Sequence, residues 1–162
     1  MRDQDQLIHE FCKNHNIQNY KITPQGVDVH EDVILARIDL TEFPFQFNVV
    51  RGNFNCGENK IESLKNSPRV VQRGYFRCSK NNKLTSLEHA PKVVQYDFYC
   101  FDNKIVPWEH RYLLFSEIQG RIYTGNSELN EFFRKYQNQK ALIPEALKEL
   151  RVLQNECEQR DA

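Results

Sequence analysis

Thiols, imidazoles and paired carboxylates are the side chains that would carry chemistry in this chain, and their spacing argues against it. Five cysteines occur, Cys12, Cys56, Cys78, Cys100 and Cys157. No two lie within four residues of each other, so neither a CxxC pair nor a zinc-ribbon spacing is present. Their odd number, behind a start MRDQDQLIHEF that lacks the apolar core of a secretory signal, predicts reduced thiols in a cytosolic protein. The five histidines, His9, His15, His30, His89 and His110, form no HExxH motif and no pair at helical spacing. The six glycines make neither GxGxxG nor GxxxxGKS/T, and GxSxG is absent. A nucleophilic Cys–His pair would have to be assembled from distant segments. The chain therefore reads as a non-enzyme with no catalytic residue, no metal site and no cofactor.

The cysteines carry a different signal, which is periodic. Cys56, Cys78 and Cys100 recur every 22 residues, and Phe54, Phe76 and Phe98 keep the same step two positions earlier. The fragments NFNCGENKIESL, YFRCSKNNKLTSL and DFYCFDNKIVPW continue with an asparagine (Asn59, Asn81 or Asn82, Asn103). An apolar pair three apart follows: Ile61 and Leu64, Leu84 and Leu87, Ile105 and Trp108. A degenerate earlier copy, DVILARIDLTEFP, places Val33, Leu35, Leu40 and Phe43 at these positions. Four units thus span residues 30–108. A unit of this length is too short for a helix pair and fits one turn of a solenoid holding a short strand and a loop. Phe and Cys, two apart, share one face of the strand, and stacked strands about 4.8 Å apart would line them into buried ladders. Against tetrahedral zinc ligation, such cysteines point the same way in a row, as small buried hydrophobes do. The asparagines are expected to satisfy loop backbone groups that face no strand partner.

The pattern F-x-C-x-x-N-x-L-x-S-L-x-x-A/S-P resembles a degenerate leucine-rich repeat found in small proteins of tailed bacteriophages. The opening YKITPQGVDVHEDV with LTEFPFQF, and the later RYLLFSEIQGRIYTGNSELNEFF, look like the capping segments of such proteins. The resemblance implies a phage protein in the host cytoplasm that binds a host protein and inhibits or redirects it. An ATP-dependent protease, a nuclease or a defence component is the kind of target it implies. It implies no shared chemistry.

The elements that would position these residues follow from pattern and size. With 162 residues the chain suits a single α+β domain, residues 1–162: an N-terminal cap over 1–29, the repeats, and a helical C-terminal cap over 109–162. No apolar run approaches the roughly 20 residues that cross a bilayer. A helix is expected over about 4–14, capped by Asp3 with Gln6 three residues on. A hairpin follows, turning at Pro24-Gln25-Gly26. Tyr112, Leu113, Leu114 and Ile118 suggest a helix stopped by Gly120, then Ile122 and Tyr123 an extended link. Asn126 or Ser127 should cap a helix with Leu129, Phe132, Phe133 and Tyr136 on its apolar face, and Pro144 should open the last one. There Leu147, Leu150 and Leu153 either dock onto the domain or meet a second copy in a homodimer.

Charge is balanced overall, 22 basic against 22 acidic side chains, but unevenly placed. Residues 65–83 hold Lys65, Arg69, Arg73, Arg77, Lys80 and Lys83 and no acid. If Phe76 and Cys78 point inward, then Arg73, Tyr75 and Arg77 point outward. Neighbouring repeats would set Asn55 on one side and Asp97, Tyr99 and Phe101 on the other. Aromatics beside arginines are the material of protein interfaces, so this face is the expected partner-binding surface. The alternative is a nucleic-acid-binding protein that uses the basic stretch 65–83, against which net neutrality weighs.

Overall fold

The computed structural model describes residues 3–162. In chain order it holds α1 (Gln4–Asn14), β1 (Tyr20–Thr23), β2 (Gly26–Val29), β3 (Val33–Ile34), β4 (Phe47–Arg51), β5 (Phe54–Asn55) and β6 (Val70–Gln72). There follow β7 (Phe76–Arg77), β8 (Val93–Val94), β9 (Phe98–Tyr99), β10 (Glu117–Ile118), β11 (Ile122–Tyr123), α2 (Ser127–Tyr136) and α3 (Ile143–Asp161). A 3₁₀ helix, Pro107–Phe115, separates β9 from β10. The strands wind into a β-solenoid of about four turns, with helices at both ends of the chain. Its two sheets run β1-β2-β4-β6-β8-β10 and β11-β9-β7-β5-β3. Apart from the antiparallel β1–β2 hairpin, every pairing is parallel.

The sequence predicts one strand per repeat; the structure has two. The reason lies at the corner between them. A Cβ on Gly74 would fall 2.3 Å from the carbonyl carbon of Gly52, and one on Gly52 would fall 2.7 Å from the backbone of Glu31. A bare backbone at that position lets successive coils nest closely while the chain bends from one sheet into the other. The valine pairs before the corner thus build the first sheet and the Phe-x-Cys triplets the second.

Register turns the periodicity into ladders. Val33, Phe54, Phe76, Phe98 and Ile122 are consecutive partners across the second sheet, and all are buried. Leu35, Cys56, Cys78 and Cys100 are buried beside them. From the first sheet Val50, Val71, Val94 and Ile118 face them in register. Phe43, Ile61, Leu64, Leu84 and Leu87 close the interior, with Leu40, Ile105 and Trp108 packed half-buried against it. Burying apolar surface along columns is what stabilises coils that have few other contacts.

The asparagines perform the expected task. Asn81 donates from Nδ2 to Cys56 O (3.1 Å) and Cys78 O (2.9 Å), and its Oδ1 accepts from Ile61 N (3.1 Å). Asn59 likewise donates to Leu35 O and Cys56 O, and Asn103 to Cys78 O and Cys100 O. Each amide therefore ties its own coil to the preceding one. The turn between Cys and Asn is tightened by left-handed residues, Glu58 (φ 56°), Lys80 (φ 61°) and Asp102 (φ 56°).

At the caps some expectations change. Asp3 occupies the N-cap of α1, but its side chain makes no capping bond. Instead of an α-helix through Ile118, the chain takes the 3₁₀ turn, burying Leu113 and Leu114, and then enters the first sheet with Ile118 facing inward. Ile122 and Tyr123 are not a link but the last rung of the second sheet. The strand ladder thus runs on to Tyr123, past the sequence boundary at residue 108. Asn126 caps α2, its Oδ1 accepting from Leu129 N, and Leu129, Phe132, Phe133 and Tyr136 are buried. On α3, Ala146, Leu150 and Gln154 are buried, and Gln154 accepts from Trp108 N (3.0 Å). Leu150 is wholly enclosed and Leu147 and Leu153 pack half-buried on the same core, so this row faces the chain's own domain.

Candidate binding face

The outer side of the second sheet is set by the alternation that buries Phe and Cys. Register places Ile34, Asn55, Arg77, Tyr99 and Tyr123 in one outward row. Asn53, Tyr75, Asp97 and Arg121 precede these strands, and the carbonyls of this second row accept the amides of Val33, Phe54, Phe76 and Phe98.

Aromatic contacts knit the rows together. The Tyr99 ring stacks on Tyr123 with centroids 5.0 Å apart and planes 7° apart, and meets Tyr75 edge-on at 5.7 Å. Phe101 approaches Tyr99 at 6.4 Å, and the guanidinium carbon of Arg77 lies 5.3 Å from the centre of the Phe101 ring. Such pairs add about 0.5–1.5 kcal/mol beyond area burial and hold the rings in fixed orientations. Tyr99, Tyr75 and Phe101 are consequently half-buried in one another rather than standing free.

Polar groups here are partly committed. Asp97 Oδ1 accepts from Arg121 N (2.8 Å), and its Oδ2 accepts from the Tyr99 hydroxyl (3.2 Å). Burial, then the nearby Asp97 carboxylate, raises the Tyr99 phenol above its ordinary range. Asn55 Oδ1 accepts from Gly57 N (3.0 Å). Arg73 does not continue the outward row. It sits at the corner with φ 58°, its amide held by Gln95 Oε1, and its side chain is exposed. Of the residues expected to form the face, Asn55, Tyr75, Arg77, Tyr99 and Phe101 form one cluster. Asp97 serves as its internal acceptor and Arg73 borders it.

Tyr123 completes the stack and was missed, although Ile122-Tyr123 repeats the inward–outward alternation of Phe98-Tyr99. A second aromatic–cation group joins segments distant in the sequence. Arg151 on α3 lies 3.6 Å from the centre of the Trp108 ring, and Arg111 lies 5.0 Å from the same ring. No periodic signal links positions 108 and 151.

Elsewhere a cleft of about 460 Å³ opens between the last coil, α2 and α3, lined by His110, Glu128, Cys157 and Arg160 among others. His110 is buried, its Nδ1 against Val106 O (3.0 Å), and burial holds its imidazole down at about 4. It is neutral at physiological pH. Burial likewise pushes the Cys56, Cys78 and Cys100 thiols well above their ordinary range. A thiol so raised is a poor nucleophile and a poor metal ligand. Among the described residues no three His, Cys, Asp or Glu side chains group to hold a metal ion. No helix of the described residues is long and apolar enough to cross a membrane. Comparison of the chain with protein-family models, curated proteins and solved structures found no match in any of the three.

Proposed function

We propose that this chain is a non-enzymatic protein-binding module whose binding surface is the outer face of the second sheet, from Asn55 to Tyr123. The observation that carries the reading is the Tyr75–Tyr99–Tyr123 stack with Arg77 over Phe101. Rings and a guanidinium already held in place lose little conformational freedom on binding, which favours affinity. The resemblance to small proteins of tailed bacteriophages makes a host protein in the host cytoplasm the partner. On that reading an ATP-dependent protease, a nuclease or a defence component is occluded or locked by this face.

The nucleic-acid alternative is less well supported. A base stacks on a free aromatic face, whereas Tyr99 has one face against Tyr123 and Tyr75 edge-on to it. Affinity capture from bacterial lysate tests the proposal, with the wild type beside an Arg77→Ala/Tyr99→Ala variant. The variant should remain folded by circular dichroism, melt a few degrees lower through loss of the stack, and fail to retain the wild-type partner. Equal retention would move the surface elsewhere. A salt titration separates the two partner classes, since phosphate binding weakens steeply with ionic strength.

A further inference from the structure

We infer that Arg77 is the anchor of this face and that it receives a carboxylate from an acidic segment of a partner protein. The inference rests on the outer sheet face being the binding surface, and goes on to name the chemistry it recognises.

Arg77 is positioned without being spent. Among the described residues its side chain donates no hydrogen bond and forms no ion pair within 4 Å; its Nε is buried with no partner. A neighbour on the same coil, the wholly buried Ser79, also has an unpartnered hydroxyl. What fixes Arg77 is shape. Its guanidinium rests on the Phe101 ring, and a Cβ at Gly57 would come within 3.3 Å of Nε and 3.2 Å of Asn55 Oδ1. The bare backbone at position 57 leaves room for Arg77 Nε beside the Ser79 carbonyl, 3.0 Å from where a Cβ would stand. With Nε enclosed, the two Nη atoms are the edge of the guanidinium left to meet a carboxylate in two-point contact.

The surrounding charges favour an acidic segment. Arg73, Lys80 and Arg121 are exposed, and none forms an ion pair within 4 Å among the described residues. The acids nearby are largely engaged. Glu58 is gripped by Arg37 through two hydrogen bonds (2.8 and 3.2 Å), which hold its carboxyl below the usual range with smaller contributions from the Lys80 and Arg77 charges. Asp97 is taken by Arg121 N and the Tyr99 hydroxyl. Asp102, on the turn after Phe101, is exposed and reduces the local positive charge without pairing with Arg77.

The test uses a synthetic ten-glutamate peptide, a ten-glutamine peptide as neutral control, and a thymidine decanucleotide, all at low ionic strength. Side-chain ¹⁵N spectra read the Arg77 Nε–H directly. The glutamate peptide should shift that resonance and the amides of Asn55 and Gly57, and the glutamine peptide should not. Affinity should fall at least tenfold in Arg77→Ala and also in Arg77→Lys, which keeps the charge but lacks the fork. Wild-type affinity in Arg77→Lys, shifts confined to Lys60 and Lys83, which are ion-paired with Asp39 and Glu62, or tighter binding of the decanucleotide at this face would each overturn the inference. If the glutamate peptide leaves Arg77 unmoved while the captured lysate partner still requires it, the carboxylate assignment falls and the face stands. If that partner is indifferent to Arg77 and Tyr99, the face itself falls.

Discussion

The Phe54 ring lies parallel to that of Phe76, planes 5° apart and centroids 5.6 Å apart, and Phe98 continues the stack at 5.1 Å. Phe76 therefore has an aromatic neighbour on each side within the buried interior. Its truncation removes a large buried side chain that adjacent coils cannot fill by collapse. Phe76→Ala is expected to lower stability by about 3–5 kcal/mol in denaturant unfolding. A loss below about 1 kcal/mol would mean the ladder is not the main support.

Asn81 offers a polar counterpart. Replacing it by Ala strands the Ile61 amide and withdraws a donor shared by the Cys56 and Cys78 carbonyls, all inside the fold. The Cys56 and Cys78 carbonyls keep the amide donors of Asn59 and Asn103, so the Ile61 amide is the group left unpaired, and Asn81→Ala should destabilise by about 1–3 kcal/mol. Asn82→Ala, one position on at an exposed site, should be near neutral and serves as the control.

The buried imidazole of His110 predicts a pH dependence. Its value in the folded chain is about 4, below the ordinary 6.5, so folding favours the neutral ring. Its contribution is full above pH 6.5 and is lost as pH falls toward 4, by on the order of 3 kcal/mol. In His110→Gln the stability difference between pH 7 and pH 4 should shrink by that order. An unchanged pH profile in urea unfolding would refute the assignment.

Thiol reactivity should follow burial. Cys157 is half-exposed on α3, whereas Cys12, Cys56, Cys78 and Cys100 are enclosed, with the Cys12 thiol pushed up to about 11. Iodoacetamide at pH 8 should alkylate Cys157 first and leave the three ladder cysteines unmodified until denaturant is added. Peptide mass spectrometry reads the order, and early modification of Cys78 would contradict the buried ladder.

Much of the architecture could be read from recurrence alone. A 22-residue step in Phe, Cys, Asn and an apolar pair admits few geometries, and the parallel stack is the one in which every recurrence lands on its counterpart. The expected asparagine bonds and the apolar face of α2 follow from equally local rules. Where the period broke, reading failed. The 3₁₀ segment stretches the last coil to 24 residues between Phe98 and Ile122, which hid the final rung and, with it, Tyr123.

Within the Phe-x-Cys triplets the sequence by itself determined which residues are buried and which alternate with them outward, because a strand of period two leaves no other choice once Phe and Cys are inside. Only the tertiary structure decided how the outward residues are used. Whether Asp97 stays free or turns to the Tyr99 hydroxyl, whether Tyr99 stands alone or stacks on Tyr123, and whether Arg77 finds an acid or only the Phe101 ring all depend on side chains from other coils. Those distances are set by how closely the coils nest, through Gly52, Gly57 and Gly74, and no spacing along the chain records them.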